Sequence, residues 1–277
     1  MSGDFLAGMA THSRQRVAEA RAALPERGLL AQALETPEAP RLKLSPQGFD
    51  LIAEVKLRSP AHGVLKGDEE NLAARVVDYA SAGAAAVSVL TEPSRFDGAL
   101  EHLQMATRAL RERAPAMRKD FIVDPYQVME ARRAGAGGVL VILRMLSIEQ
   151  NVALIECATR LGLFVLMEAF DEADIAQAEQ LLRSHAVAAM RVNAPLLVGV
   201  NCRDLVTLQV VPGRLEQLAP LLPRGAPHVA ESGVESPGDV ARLAAAGYHL
   251  ALVGSALMRA ANPLSLVRSM LAAGRTA

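Results

Sequence analysis

Short apolar runs alternate with longer amphipathic stretches along most of the chain, and this alternation limits the fold more than any other feature. The runs are Phe49–Val55, Ala84–Leu90, Ala116–Ile122, Gly138–Leu143, Leu163–Ala169, Leu196–Val200, Pro227–Ala230 and Leu250–Val253. They are nearly continuous in hydrophobicity, as parallel strands covered on both faces must be. Between them Leu72–Ser81, Ala99–Arg113, Ile148–Arg160, Asp171–Leu182 and Pro237–Ala246 carry helical spacing. Eight strands alternating with helices close a (β/α)8 TIM barrel, and the 277 residues suit one such barrel of about 250. A doubly wound open sheet is the rival fold. Its nucleotide-binding form would carry G-x-G-x-x-G after the first strand; that motif is absent, and so is G-x-x-x-x-G-K-[ST].

Local punctuation agrees with the alternation. Asp124-Pro125, Ser147, Asp171 and Ser236-Pro237 are N-cap candidates. Gly83, Gly135, Gly162 and Gly247 stand where helices should stop. Leu257–Met270 reads as the last helix, with room for a short turn at its start. Residues 1–48 show helical spacing near Arg14–Leu24 and Gly28–Leu34, then the Pro-containing stretch Thr36–Pro46. They are expected to form an N-terminal helical extension over a catalytic barrel of residues 49–277.

Composition removes several function classes. Lys plus Arg number 29 and Asp plus Glu 30, so no basic excess marks a nucleic-acid partner. Cys157 and Cys202 make no C-x-x-C pair, and the six histidines show no metal-ligand spacing, so no metal centre is expected. No run approaches the roughly 20 apolar residues that cross a bilayer. The N-terminus lacks the apolar segment of a signal peptide, and a cytoplasmic location is expected. The run Arg108–Arg113 reads as a solvated helix face, and Met129, Met145 and Met167 as core filler.

The anomaly lies at the strand ends. They carry Glu54-Val55-Lys56, Thr91-Glu92, Arg118-Lys119-Asp120, Glu168, Asn201-Cys202-Arg203-Asp204, Glu231-Ser232-Gly233 and Gly254-Ser255. One charged strand end is an ordinary loop boundary. Seven would converge at the C-terminal mouth of a barrel, where such folds hold their active sites. Period-2 spacing puts Glu54 and Lys56 on one face, as a catalytic couple or a structural ion pair. Lys119 and Asp120 point oppositely, so one of them faces inward. Glu168 sits in an apolar run, where desolvation favours a neutral carboxyl. Ser232-Gly233 and Gly254-Ser255 follow strands seven and eight, the usual phosphate position in barrels, and Ser59-Pro60 adds a hydroxyl from the first loop.

These residues fall into longer motifs. They are Ile52-Ala53-Glu54-Val55-Lys56 with Ser59-Pro60; Val87-Ser88-Val89-Leu90-Thr91 with Phe96-Asp97-Gly98; and Arg118-Lys119-Asp120-Phe121 running on to Gln127. Met167-Glu168, Gly199 to Leu205, Glu231-Ser232-Gly233-Val234 and Leu252 to Met258 follow. Over roughly residues 50–270 the chain resembles the indole-3-glycerol phosphate synthase family. The resemblance implies a barrel enzyme that closes an indole ring on an anilino-deoxyribulose phosphate bearing an ortho carboxylate, with loss of carbon dioxide and water. It implies Lys119 as general acid of ring closure and Lys56 as partner of the substrate carboxylate. Glu168 would be the acid/base group of dehydration, with Glu54 assisting. Asn201, Arg203, Glu231 and Ser232 would hold the sugar hydroxyls and fix the catalytic side chains. Ser59, Gly233, Gly254 and Ser255 would bind phosphate, and Phe96, Phe121 and Leu205 would wall the aromatic ring. Leu57, Ala61, Cys202 and Phe170 depart from the commoner family residues. The resemblance implies no metal or organic cofactor; the implied partner is a small phosphorylated substrate, and the expected state a monomer. The alternatives are a related phosphate-sugar isomerase and a non-catalytic barrel scaffold.

Overall fold

The computed structural model describes residues 2–56, 58–59, 63–64, 72–184, 187 and 194–277. The eight apolar runs become eight parallel strands that close on themselves. They are β1 Asp50–Val55, β2 Ala86–Leu90, β3 Ala116–Lys119, β4 Gly138–Ile142, β5 Phe164–Ala169, β6 Leu196–Asn201, β7 His228–Glu231 and β8 Leu250–Val253. Closure is the pairing of β1 with β8, from Asp50 beside Leu250 to Ala53 beside Val253. No open sheet edge remains in the barrel, which excludes the doubly wound rival.

Period 2 sorts the side chains. Ile52, Ala86, Met117, Leu140, Phe164, Leu166, Leu197, Val229, Leu250 and Leu252 fill the barrel interior. Their outward neighbours, such as Leu51, Val87, Val139, Val165, Val198 and Ala251, meet the surrounding helices. The interior therefore ends, at the C-terminal edge, on whichever residues follow in the inward series, and on β1, β3, β5, β6 and β7 these are polar: Glu54, Lys119, Glu168, Asn201 and Glu231.

Helix boundaries follow the expected punctuation. Ser147 and Ser236 form capping boxes, and Asp124 and Asp171 accept the N–H groups of Tyr126 and Ala173. Gly83, Gly135, Gly162 and Gly247 take positive φ at the helix ends. Two expectations need correction. β3 stops at Lys119, not Ile122, because the Asp120 carboxylate takes the Phe121 N–H at 2.8 Å and turns the chain out of the sheet. The last helix does not run from Leu257: the short turn at its start is a separate helix, Ser255–Arg259, and the last helix is Pro263–Arg275. Pro263 lacks an N–H and so begins the second one, capped by Asn262.

The extension is two helices, α1 Ser2–Ala23 and α2 Glu26–Glu35. Leu29 and Ala33 of α2 pack with Val17, Tyr126 and Met129. The α1 helix crosses the mouth: Leu6 and Met9 join the interior apolar cluster. Arg16 of α1 grips Asp120, through N–H···O contacts of 2.8 and 3.1 Å.

Candidate active site

The polar strand ends open into one cavity of about 1140 Å³, its open mouth included. Glu54, Lys56, Lys119, Glu168, Asn201, Arg203, Glu231 and Ser232 all line it. So do Phe96, Phe121, Leu205, Gly233, Gly254 and Ser255. Of the residues expected to meet the substrate, Ser59 alone is not placed there: its backbone forms part of a two-residue strand, and its side chain lies outside the described residues. The strand-end residues Thr91, Glu92, Arg118, Cys202 and Asp204 do not line this cavity.

Strand register builds the acid–base cluster. Asn201 of β6 pairs with Glu231 of β7, and Glu168 of β5 with Gly199 of β6. Lys119 Nζ lies between two carboxylates, 3.5 Å from Glu168 and 3.7 Å from Glu231. Asn201 donates to Glu168 at 2.9 Å, and its own carbonyl is fixed by the Arg203 N–H at 3.0 Å. Lys56 and Glu54 form the anticipated ion pair, at 2.8 Å, and it faces the cavity. Asp120 turns the other way, into a net of Arg16, Arg118 and Thr91.

The electrostatics divide these groups. Burial would raise the Glu54 carboxyl, but Lys56 and Lys119 outweigh it and hold it below its ordinary value. Burial would lower the Lys119 ammonium, but Glu168, Glu231 and Glu54 hold it above the usual lysine range. Burial and the facing Glu168 push Glu231 well above the usual carboxylate range, and Lys119 does not compensate. The carboxyl poised toward its neutral form is thus Glu231.

Two inward glycines make room for this chemistry. A Cβ on Gly199 would stand 2.1 Å from Glu231 Oε1. One on Gly254 would stand 2.3 Å from Glu54 Oε1 and 3.1 Å from Lys56 Nζ. Gly254 therefore clears space for the ion pair, besides lying on the expected phosphate rim. On that rim Ser232 and Gly233 both take positive φ, 68° and 71°.

The apolar wall is larger than the sequence reading had it. Phe96 and Phe121 pack with ring centroids 6.4 Å apart, and Phe5 of α1 meets Phe121 edge-on at 5.9 Å. Phe5, Leu6, Leu140, Ile142 and Phe170 also line the cavity and were missed. Period 2 was the available signal for Leu140 and Ile142, and for Phe170 two residues beyond Glu168. No local signal pointed to Phe5. Phe170 is held from behind: the Arg144 guanidinium lies 5.0 Å from its ring centroid, and Asp174 accepts its N–H at 2.8 Å.

Charges this deeply buried are costly unless they are used or paired. Two lysines and three glutamates held around one cavity at the mouth of a barrel define an acid–base barrel enzyme. Relatives narrow the class. The family model described as indole-3-glycerol phosphate synthase matches residues 6–270. An indole-3-glycerol phosphate synthase of Nocardioides sp. is 40% identical over 274 residues, covering 96% of each chain. One of Salinibacter ruber is 40% identical over 232 residues, 84% of this chain and 81% of its own. Among solved structures, 3-hexulose-6-phosphate synthase from Salmonella typhimurium superposes with a TM-score of 0.60 at 16% identity, over 82% of this chain and 99% of that one. That likeness concerns the fold alone. The chain belongs to the indole-3-glycerol phosphate synthase family, the carboxy-lyases of tryptophan biosynthesis.

Proposed function

We propose that this chain closes the indole ring of 1-(2-carboxyphenylamino)-1-deoxyribulose 5-phosphate, with Lys119 as the acid that protonates the ketone oxygen. The observation that carries the reading is the Lys119 ammonium held between Glu168 and Glu231 inside the apolar cavity. A cation there meets the negative charge that develops on oxygen as the ring carbon attacks. Lys56, paired with Glu54, is the group that exchanges its partner for the substrate carboxylate and is freed when carbon dioxide leaves. Glu168, oriented by Asn201, serves as acid/base group in dehydration. Arg203, Glu231 and Ser232 hold the sugar hydroxyls; Ser59, Gly233, Gly254 and Ser255 take the phosphate. Phe96, Phe121 and Leu205 flank the aryl ring.

An isomerase of the same fold needs an acid and a base, but no second lysine for a departing carboxylate; the Lys56–Glu54 couple therefore favours decarboxylative closure. We further infer a monomer acting in the cytoplasm; among the described residues no helix is long and apolar enough to cross a membrane. The test is to supply the carboxyphenylamino ketose phosphate to the purified protein and follow carbon dioxide together with indole absorbance. Both should rise in step. Isomerised sugar phosphate without carbon dioxide would overturn the reading. A Gly254→Val variant is a poor probe of phosphate, because its side chain would strike Glu54; Ser255→Ala leaves that pair untouched and should weaken binding only modestly.

A further inference from the structure

Ring closure, decarboxylation and dehydration set a proton count. The ketone oxygen becomes a hydroxyl and then leaves as water, so one oxygen receives two protons. The methylene carbon beside nitrogen gives one back. Each turnover of a substrate carboxylate therefore consumes one net proton. The Lys119 ammonium supplies the first, and becomes a neutral amine in doing so.

Geometry points to the source of the second. Glu54 has Lys56 at 2.8 Å, and Glu168 has the Asn201 amide at 2.9 Å. Glu231 is 1% exposed, and neither of its oxygens has a hydrogen-bond donor among the described residues. Its cation is Lys119, at 3.7 Å and shared with Glu168. The absent side chain of Gly199 leaves the space this carboxyl fills. Arg203, past the end of β6, spends a guanidinium N–H on the Leu208 carbonyl. A buried carboxyl without donors, facing a second carboxylate, keeps its proton.

We propose that Glu231 is the proton store of the site: it recharges the Lys119 amine between the two transfers, so that Lys119 serves the same oxygen twice. The inference rests on the ring-closing reading above. In ring closure a bond forms between the carboxylate-bearing ring carbon and the ketone carbon. The carbonyl electron pair moves to oxygen, which takes a proton from Lys119. The ring-to-carboxylate bond then breaks, its electron pair restores the aromatic ring, and carbon dioxide departs. The Glu231 O–H next gives its proton to the neutral amine, a downhill transfer from carboxyl to amine. Lys119 protonates the hydroxyl, which leaves as water, while Glu168 takes the methylene proton. That proton passes from Glu168 to Glu231, and Lys119 regains one from solvent. The sum is one proton consumed.

Single-turnover reactions that trap carbon dioxide and follow indole absorbance together test this. In the wild type at neutral pH the two should coincide. In Glu231→Gln both products should slow, and indole should lag carbon dioxide by about tenfold or more. Glu231→Asp, which keeps a carboxyl, should shorten the lag. Raising the pH on the unmodified enzyme empties the store and should produce the same lag, a readout independent of how any variant folds. Carbon dioxide and indole slowed equally in Glu231→Gln, or no alkaline lag in the wild type, would overturn the proposal. A wild type that yields neither product would sink the ring-closing reading itself, and this inference with it.

Discussion

Asp120 and Glu231 are both buried carboxylic acids at the mouth of one barrel, and their surroundings are opposite. Asp120 accepts from Arg16 at 2.8 and 3.1 Å, Arg118 at 3.0 Å, Thr91 at 2.8 Å and the Phe121 N–H at 2.8 Å. Burial would raise it, yet Arg118, Arg16 and Thr91 bring it down to about 2. Glu231 receives no such donor among the described residues and is pushed up by burial and by Glu168. Burial is common to both, so the count of donors decides which carboxyl is a fixed anion and which an acid. Asp120 is a joint that fastens α1 to the end of β3. Glu231 is left without a donor among the described residues, as a group kept for chemistry is.

The severest way to probe the contrast is to remove the cation that Glu231 does have. Lys119→Met keeps length and packing but loses the proton, and turnover should fall by about 10²- to 10⁴-fold with little change in substrate dissociation constant. Lys56→Met should weaken binding as well as slow turnover, because the carboxylate it meets is present in the ground state. A phosphate-bearing inhibitor without that carboxylate should bind Lys56→Met almost normally in calorimetry. Identical behaviour of the two variants on rate and binding would erase the division of roles.

Stability comes next in size. Asp120→Ala takes the carboxylate from Arg16 and one of two carboxylates from the buried Arg118, which keeps Glu130, and should cost about 3–5 kcal/mol in denaturant unfolding. Glu231→Gln removes an unsatisfied acid and should lie within about 1 kcal/mol of wild type, on the stabilising side. Equal losses would break the comparison. Their pH dependences have opposite sign. Asp120 is depressed in the fold, so its contribution, about 2 kcal/mol, is present above the unfolded carboxylate range near 4 and is lost as pH falls toward about 2. Glu231 is raised, so its penalty is absent below about pH 4 and grows as pH rises toward its folded value. The advantage of Glu231→Gln over wild type should therefore vanish in acid, whereas Asp120→Asn should flatten the acid limb.

What was legible in the sequence was local or periodic. The apolar runs, the glycine stops and the Ser and Asp caps each depend on a few adjacent residues, and they placed the barrel within a residue or two at most strand ends. Period 2 then carried Glu54, Lys119, Glu168 and Glu231 to a common mouth. What escaped depends on docking between distant segments. Nothing near Phe5 or Arg16 signals that α1 lies against Phe121 and Asp120, more than a hundred residues away. The clearance role of Gly254 is visible only once β8 lies beside β1 and brings Glu54 against it. The resemblance attached phosphate to that glycine, while the fold adds the ion pair. The early end of β3 was hidden because Asp120 finds two of its partners far off in sequence, Arg16 on α1 and Thr91 just past β2.

The smallest expected effect tests whether donor supply governs buried groups away from the mouth as well. At the opposite end of the barrel, β7 begins at His228, and His249 immediately precedes β8. The His228 backbone N–H donates to His249 Nδ1 at 3.1 Å, and the two rings meet edge-on at 5.0 Å. An imidazole nitrogen that accepts such a bond must be unprotonated. Partial burial first, and then the neighbouring His228, hold His249 below its ordinary value. The unfolded chain therefore binds more protons between that folded value and about pH 6.5, and stability must rise with pH across this window. The contribution is complete above about pH 6.5 and falls away as the solution is acidified through the folded value. His249→Asn keeps an acceptor that does not titrate. Melting temperatures of wild type and His249→Asn, measured at pH 7.5 and 5.5, should show the smaller acid loss in the variant, with the slopes of Asp120 and Glu231 common to both and cancelling. An equal or greater loss in His249→Asn would mean that the strand-start contact does not control this nitrogen, and that the donor rule drawn from Asp120 and Glu231 stops at the active-site end.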